Sequence, residues 1–265
     1  MRKDIQKANV IVIKIGTSAL ISAEGTINYQ VLQQLVFVIA ELMKQDKKII
    51  LVSSGAVALG RQKLGFIEST LSTGQQKASA AVGQSLLINE YQEAFWEYNQ
   101  EIGQLLLTRD ILEFAESRQT FTETIDQLLT SGILPIINEN DAVSVDEIHQ
   151  QRQFEDNDEV ALNVALLMQA DLFIMLSDVE GLYSDNPLYN EEAKLFQHLK
   201  EVDTSLMSNS STQAGLYSRG GIRSKLKTAN AALSSGLDMV LANGKKPSII
   251  FDILRGEEVG TLFQR

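Results

Sequence analysis

The stretch Ile11-Val12-Ile13-Lys14-Ile15-Gly16-Thr17-Ser18 sets a lysine inside an otherwise apolar run. A strand that is apolar at nearly every position belongs to a sheet covered on both faces, where an unpaired ammonium group is costly. Lys14 therefore either meets an anion at the end of its strand or marks a strand that is exposed. Gly16, two residues on, favours the anion, because glycine lets the backbone turn tightly and lets another group come close.

Outward from this run, apolar segments of strand length alternate with stretches of helical period. That alternation is the pattern of an α/β protein with a largely parallel sheet. Strands are predicted at 10–15, 48–53, 102–107, 133–137, 172–177, 238–242 and 248–253. Val31, Leu32, Leu35, Val36, Ile39 and Leu42 recur at helical spacing, as do Val160, Val164, Leu167 and Met168, and both stripes read as core-facing helix surfaces. The small residues at 79–83 suit a helix packed closely against the sheet, or against a second subunit; packing within the chain is the expectation. Residues 204–218, polar and rich in Ser, Thr and Asn, read as a loop and a candidate lid. No internal repeat or interdomain linker breaks the pattern, so residues 1–265 are expected to form one domain.

Composition removes several functions. Against 34 acidic residues the chain carries 23 Lys and Arg, a formal charge of -11 that disfavours nucleic acid and anionic lipid as partners. With no cysteine, disulfides, thiol catalysis and thiolate metal sites are excluded. The two histidines, His149 and His198, stand apart in polar surroundings, which argues against a histidine metal site or a Ser-His triad. No apolar run reaches membrane-spanning length and the first ten residues lack the apolar core of a signal peptide, so the cytoplasm is the expected location.

Polar residues and glycine gather just after several predicted strands: Gly16-Thr17-Ser18, Ser53-Ser54-Gly55, residues 138–141, and Ser177-Asp178. In open α/β sheets ligands bind outside the carboxyl ends of the strands, so these clusters read together as a site. KIGTS supplies a cation, backbone N–H groups and hydroxyls, which suits phosphate, although it is not a Walker sequence. LVSSGAVALGRQKLG runs a strand through Ser54 and Gly55 into a helix start, a place for an anion, with a plain N-cap serine as the alternative. INENDAV places Asn138, Glu139, Asn140 and Asp141 after an apolar strand, and FEDNDE crowds Asp156, Asn157, Asp158 and Glu159 at the head of the following helix, where acids can also merely complement the dipole. Such density suits an ammonium group, or the orientation of lysines around a metal-nucleotide, while EF-hand spacing is absent. RGGIRSKLKTA adds Arg223 and Lys225 behind a double glycine, a second candidate for phosphate, with an ordinary basic helix face in solvent as the alternative. Two lysines from distant parts of the chain with a carboxylate between them make a phosphoryl-transfer site built on electrostatics.

In order and spacing, IVIKIGTS, LVSSGAVALGRQKLG, AAVGQSLL, GQLLLTRDI, LPIINENDAV, FEDNDEVA, SDVEGLYSDNP, GGIRSKLKTA and VGTLF resemble the amino acid kinase family, and within it the members that phosphorylate glutamate. The resemblance runs from about residue 9 to the C-terminus. It implies a three-layer α/β/α sandwich with an open, mainly parallel sheet. The implied reaction moves the γ-phosphoryl group of ATP to the side-chain carboxylate of L-glutamate, forming glutamyl 5-phosphate, the first step of proline biosynthesis. Mg²⁺ is implied through the ATP phosphates, without a protein metal site. Carried over, Lys14 and Lys225 hold the transferring phosphoryl group and Asp158 orients both lysines. Ser54, Asp141 and Asn157 bind glutamate, and Lys14, Ser177, Asp178, Arg219, Gly220, Gly221, Ile222, Arg223, Ser224 and Lys225 bind ATP. Also implied are a homo-oligomer, proline as feedback inhibitor and a reductase that consumes the acyl phosphate. The RNA-binding-like domain that many relatives carry after the kinase domain is not expected, because the chain ends soon after GTLF.

Four positions depart from the family pattern: Arg219 for the usual threonine, Ile222 for methionine, Ser177 for threonine and Glu155 for glycine. None removes a catalytic group. The competing readings keep the fold and change the acceptor to aspartate, N-acetylglutamate, carbamate or UMP, or make the chain a non-catalytic amino-acid sensor. Chemistry favours the kinase: a carboxylate with a solution pKa near about 4.3 is already ionised at neutral pH, so it needs no general base.

Overall fold

Strand β1 (Val10–Ile15) lies inside the sheet, between β2 (Lys48–Ser53) and β5 (Leu172–Ser177). The computed structural model describes residues 2, 4–66, 70–144, 157–185, 187, 190–202 and 222–265. Their remaining strands are β3 (Ile102–Leu107), β4 (Leu134–Glu139), β6 (His198–Leu199), β7 (Asp238–Asn243) and β8 (Thr261–Phe263). The described sheet has eight strands in the order β3-β4-β2-β1-β5-β7-β8-β6. All strand pairs from β3 to β7 are parallel; β8 runs antiparallel to β7 and carries the short β6 parallel to itself.

The helices are α1 (Thr17–Leu20), α2 (Tyr29–Met43), α3 (Ala56–Lys63), α4 (Thr73–Trp96), α5 (Arg109–Glu113), α6 (Ala115–Thr130), α7 (Asn157–Leu167), α8 (Ile222–Ser234) and α9 (Ile249–Leu254). Side chains alternate across a strand, and β1 shows this cleanly. Ile11, Ile13 and Ile15 join the core under α2, α3, α4 and α9, whereas Val12 joins the core under α6, α7 and α8. Helices on both faces make the three-layer sandwich that the resemblance implies. Lys14 is in phase with Val12, so it points to the layer that holds α7 and α8.

Two sequence expectations are corrected. Residues 248–253 lie mainly in helix α9 rather than a strand. The run is apolar enough for either, but its fully buried members, Ile250 and Ile253, are three apart, as one helix face requires. The sheet's far edge is instead supplied by β6 and β8, two and three residues long, too short for periodicity to signal. The small-residue stretch 79–83 belongs to α4 and packs on α3, not on the sheet. A Cβ at Gly83 would lie 1.7 Å from the Ala56 carbonyl oxygen, and one at Gly60 only 1.8 Å from that of Ser79. The two helices thus cross backbone to backbone.

At the opposite end of the sheet, the Arg2 guanidinium donates to four carbonyls, of Gln197 at 2.8 Å, Glu257 at 2.5 Å, Val259 at 2.5 Å and Gly260 at 3.2 Å. It thereby ties the start of the chain to β6 and to the approach of β8. Among the described residues, no helix is long and apolar enough to cross a membrane.

Candidate active site

Because β1, β2, β4 and β5 are parallel, Gly16, Ser54, Asn138 and Ser177 all come to one edge of the sheet. Helix α7 runs from β4 to β5 and packs over β1, which sets its first turn above Lys14. The lysine's anion is there. The Lys14 ammonium is ion-paired with one oxygen of Asp158, and Lys225, from the first turn of α8, lies 3.4 Å from the other. The Asp158 side chain is 1% exposed, those of Lys14 and Lys225 only 8% and 12%. Burial alone pushes the Asp158 carboxyl up, but the two ammonium groups outweigh it and hold the acid below its ordinary value. Asp158 thus holds two ammonium groups side by side in a poorly solvated place, a setting that suits the negative charge of a phosphoryl group.

Gly16 serves a different purpose from the tight turn expected of it. Its φ is -80°, open to any residue, and its N–H donates to the Leu176 carbonyl at 3.1 Å, so that amide is not free for phosphate. A Cβ at this position would sit 3.5 Å from the Lys14 nitrogen. The missing side chain keeps the approach to the ammonium open.

A second group of side chains surrounds Ser54. Gly55 holds φ at 109° and a Cβ there would meet Ile21 Cγ1 at 2.8 Å, so only glycine fits between the strand and α3. Gly55, not Ser54, occupies the N-cap of α3, which removes the plain capping role for the serine. Asn157 Nδ2 donates instead to Ser54 Oγ at 2.9 Å and to Asn138 Oδ1 at 3.1 Å. Asn138 Nδ2 in turn donates to Gln84 Oε1 on α4 at 2.7 Å. Ser53 Oγ and the hydroxyl of fully buried Tyr91, also on α4, are 2.9 Å apart. The remaining Asn157 oxygen, Oδ1, is buried and has no hydrogen-bond partner among the described residues. Asp141 lies in the turn after β4, where burial pushes its carboxyl up.

On the other side of β1, buried Ser177 ends β5 and donates to Asp178 Oδ1 at 3.0 Å. Ile222, Arg223 and Ser224 share the first turn of α8 with Lys225, and Arg223 is exposed there. Arg219, Gly220, Gly221, Glu155 and the candidate lid at 204–218 lie outside the described residues. Lys14, Asp158 and Lys225 are therefore brought together, as are Ser54 and Asn157. Gln84 and Tyr91 receive no role from sequence, since a polar residue inside a stripe of small or apolar ones gives no local signal; Ser53 and Asn138 stand out only as members of clusters.

Residues 9–243 match the profile of the Amino acid kinase family. The chain is 46% identical over 263 residues to the glutamate 5-kinase of Enterococcus faecalis, covering 99% of this chain and 97% of that protein. Against the glutamate 5-kinase of Ligilactobacillus salivarius the identity is 40%, with coverage of 99% and 98%. Among solved structures it is similar in fold to T. acidophilum isopentenyl phosphate kinase, with a TM-score of 0.66, 17% identity and coverage of 96% and 100%. The UMP kinase of Bacillus anthracis follows, with a TM-score of 0.62, 16% identity and coverage of 97% and 96%.

Proposed function

Since the chain belongs to the amino acid kinase family, we propose that it transfers the γ-phosphoryl group of ATP to the side-chain carboxylate of L-glutamate, as a single kinase domain over 1–265. Identity of 40–46% to glutamate 5-kinases along almost the whole chain carries the choice of acceptor. The Lys14–Asp158–Lys225 cluster supplies a site whose charge suits the reaction. The product is glutamyl 5-phosphate, the entry to proline biosynthesis. As a mixed anhydride it is reactive, and a reductase would take it up.

In this reading the glutamate carboxylate attacks the γ-phosphorus in line while the β–γ bridging oxygen leaves with ADP. No side chain has to remove a proton, which agrees with a site built from lysines rather than histidine. Lys14 and Lys225 balance the charge spreading over the equatorial oxygens of the phosphoryl group, and Asp158 holds both ammonium groups in place before substrate arrives. Ser54, Asp141 and Asn157 bind glutamate. Ser177, Asp178 and the segment 219–225 bind the nucleotide. Mg²⁺ would enter with the substrate, as the magnesium complex of ATP.

Incubation with ATP, Mg²⁺ and hydroxylamine tests the acceptor, because hydroxylamine traps an acyl phosphate as a hydroxamate. Glutamate is expected to give product, and aspartate and N-acetylglutamate none. Absence of product with glutamate would overturn the reading, and absence with every acceptor would leave a sensor. Asn157→Ala is expected to raise the glutamate KM by roughly tenfold, the loss of about one hydrogen bond to a charged group, with a smaller change for ATP. Initial-rate kinetics in both substrates check it, and equal effects on the two would indicate collapse of the loop.

A further inference from the structure

Helix α4 contributes no residue to the roles assigned above, yet Gln84 reaches from it into the side chains around Ser54. We propose that Gln84 is a positioning residue of the amino-acid subsite, fixing through Asn138 which end of the Asn157 amide faces the substrate. The inference rests on the glutamate kinase reading.

A side-chain amide has nearly the same shape when turned end for end, so its partners decide its direction. Asn138 Oδ1 accepts from the Glu139 backbone N–H at 2.9 Å and from Asn157, which leaves Nδ2 to find an acceptor in a place where the residue is 2% exposed. Gln84 Oε1 is that acceptor. With both ends of Asn138 satisfied, Asn157 is required to present its Nδ2 to Asn138 and Ser54, and its Oδ1 is left buried and unfilled. A buried acceptor without a donor is unfavourable until a ligand supplies one. At neutral pH both carboxylates of glutamate are acceptors only, and its ammonium group is its strong donor. The Asn157 oxygen therefore fits the ammonium end.

Without Gln84, the Asn138 Nδ2 becomes a buried, unpaired donor. Turning toward the Asn157 oxygen would satisfy it and consume the acceptor reserved for the substrate. The height of Gln84 is itself fixed by its neighbour Gly83, whose contact with the Ala56 carbonyl locks α4 against α3. Helix α3 starts directly after Ser54 and Gly55, so both parts of the subsite refer to one helix crossing.

Gln84→Met removes the acceptor while keeping length and apolar bulk, and Gln84→Glu restores an acceptor oxygen. The first is expected to raise the glutamate KM by about tenfold, with kcat and the ATP KM within about twofold of the parent, and the second to bring the glutamate KM back near the parent value. An unchanged glutamate KM in Gln84→Met would overturn the proposal. So would a joint rise in both KM values with a fall in kcat, which describes general loosening, or a failure of Gln84→Glu to rescue. Calorimetric titration of glutamate into the same proteins reads the subsite without turnover. A parent that binds glutamate yet forms no hydroxamate would overturn the kinase reading alone, and weaker binding in Gln84→Met only would still sustain the positioning role.

Discussion

Lys14→Met and Lys225→Met are each expected to lower kcat by on the order of 10² to 10³, while the glutamate KM moves far less. The argument is one of charge. Asp158 faces an ammonium from β1 and another from α8, and in the proposed reading both act on the incoming phosphoryl group. Removing either lysine takes away a positive charge, so stabilisation is lost where negative charge spreads over the transferring group. In the proposed reading glutamate is held by Ser54, Asp141 and Asn157, so its KM is affected mainly through geometry. Lys→Arg at either position is expected to fail as well, because a planar fork cannot set a point charge at the same spot. Removing a charge from a buried ion cluster also alters stability. Rates are therefore compared per folded protein, after circular dichroism. Unchanged turnover in either variant would remove that lysine from the mechanism.

Gly83→Ala should have the largest effect on stability. The new methyl would have to occupy a point 1.7 Å from the Ala56 carbonyl oxygen, which is backbone and cannot swing aside. Either α3 or α4 must shift, giving up the contacts of Leu59, Leu87 and Tyr91 in the core beneath. A destabilisation of about 3–5 kcal/mol is expected, at the severe end for overpacking. Gly60→Ala, at the other half of the crossing, should do the same. Gly74, in the first turn of α4, has nothing within 4 Å of its would-be Cβ, and Gly74→Ala should stabilise by about 0.5–1 kcal/mol through backbone entropy. Thermal melts of the three variants check the contrast in sign. A Gly83→Ala protein as stable as the parent would mean that the helices do not meet there in solution.

Sequence legibility followed how local each cause was. The strands at 10–15, 48–53, 102–107 and 172–177 were readable to the residue, because each is a six-residue apolar run closed by a change in composition. Residues 248–253 were misread since four apolar residues in six satisfy a strand and a short helix alike. The lysine of β1 was informative because its surroundings made it expensive, and its partner Asp158 could be named from the motif resemblance. Gln84 and Asn138 are different. Their importance comes from a hydrogen bond between residues 54 positions apart, and nothing beside either one in sequence announces the other.

The central place of β1 bears on how the chain is made. Its partner β2 is complete once residue 53 has been synthesised, but β5, which covers its other edge, ends only at residue 177. Synthesis at about 5–20 residues per second keeps that edge unpaired for roughly 6–25 s, and for most of that time Lys14 has no Asp158 to meet it. An apolar strand with an open edge is a template for association with other chains, so that interval is the one in which the nascent chain is exposed to mispairing. Arg2 waits longer still. It finds the last of its four carbonyls only when Gly260 has been made, so the sheet's far edge closes later than its centre.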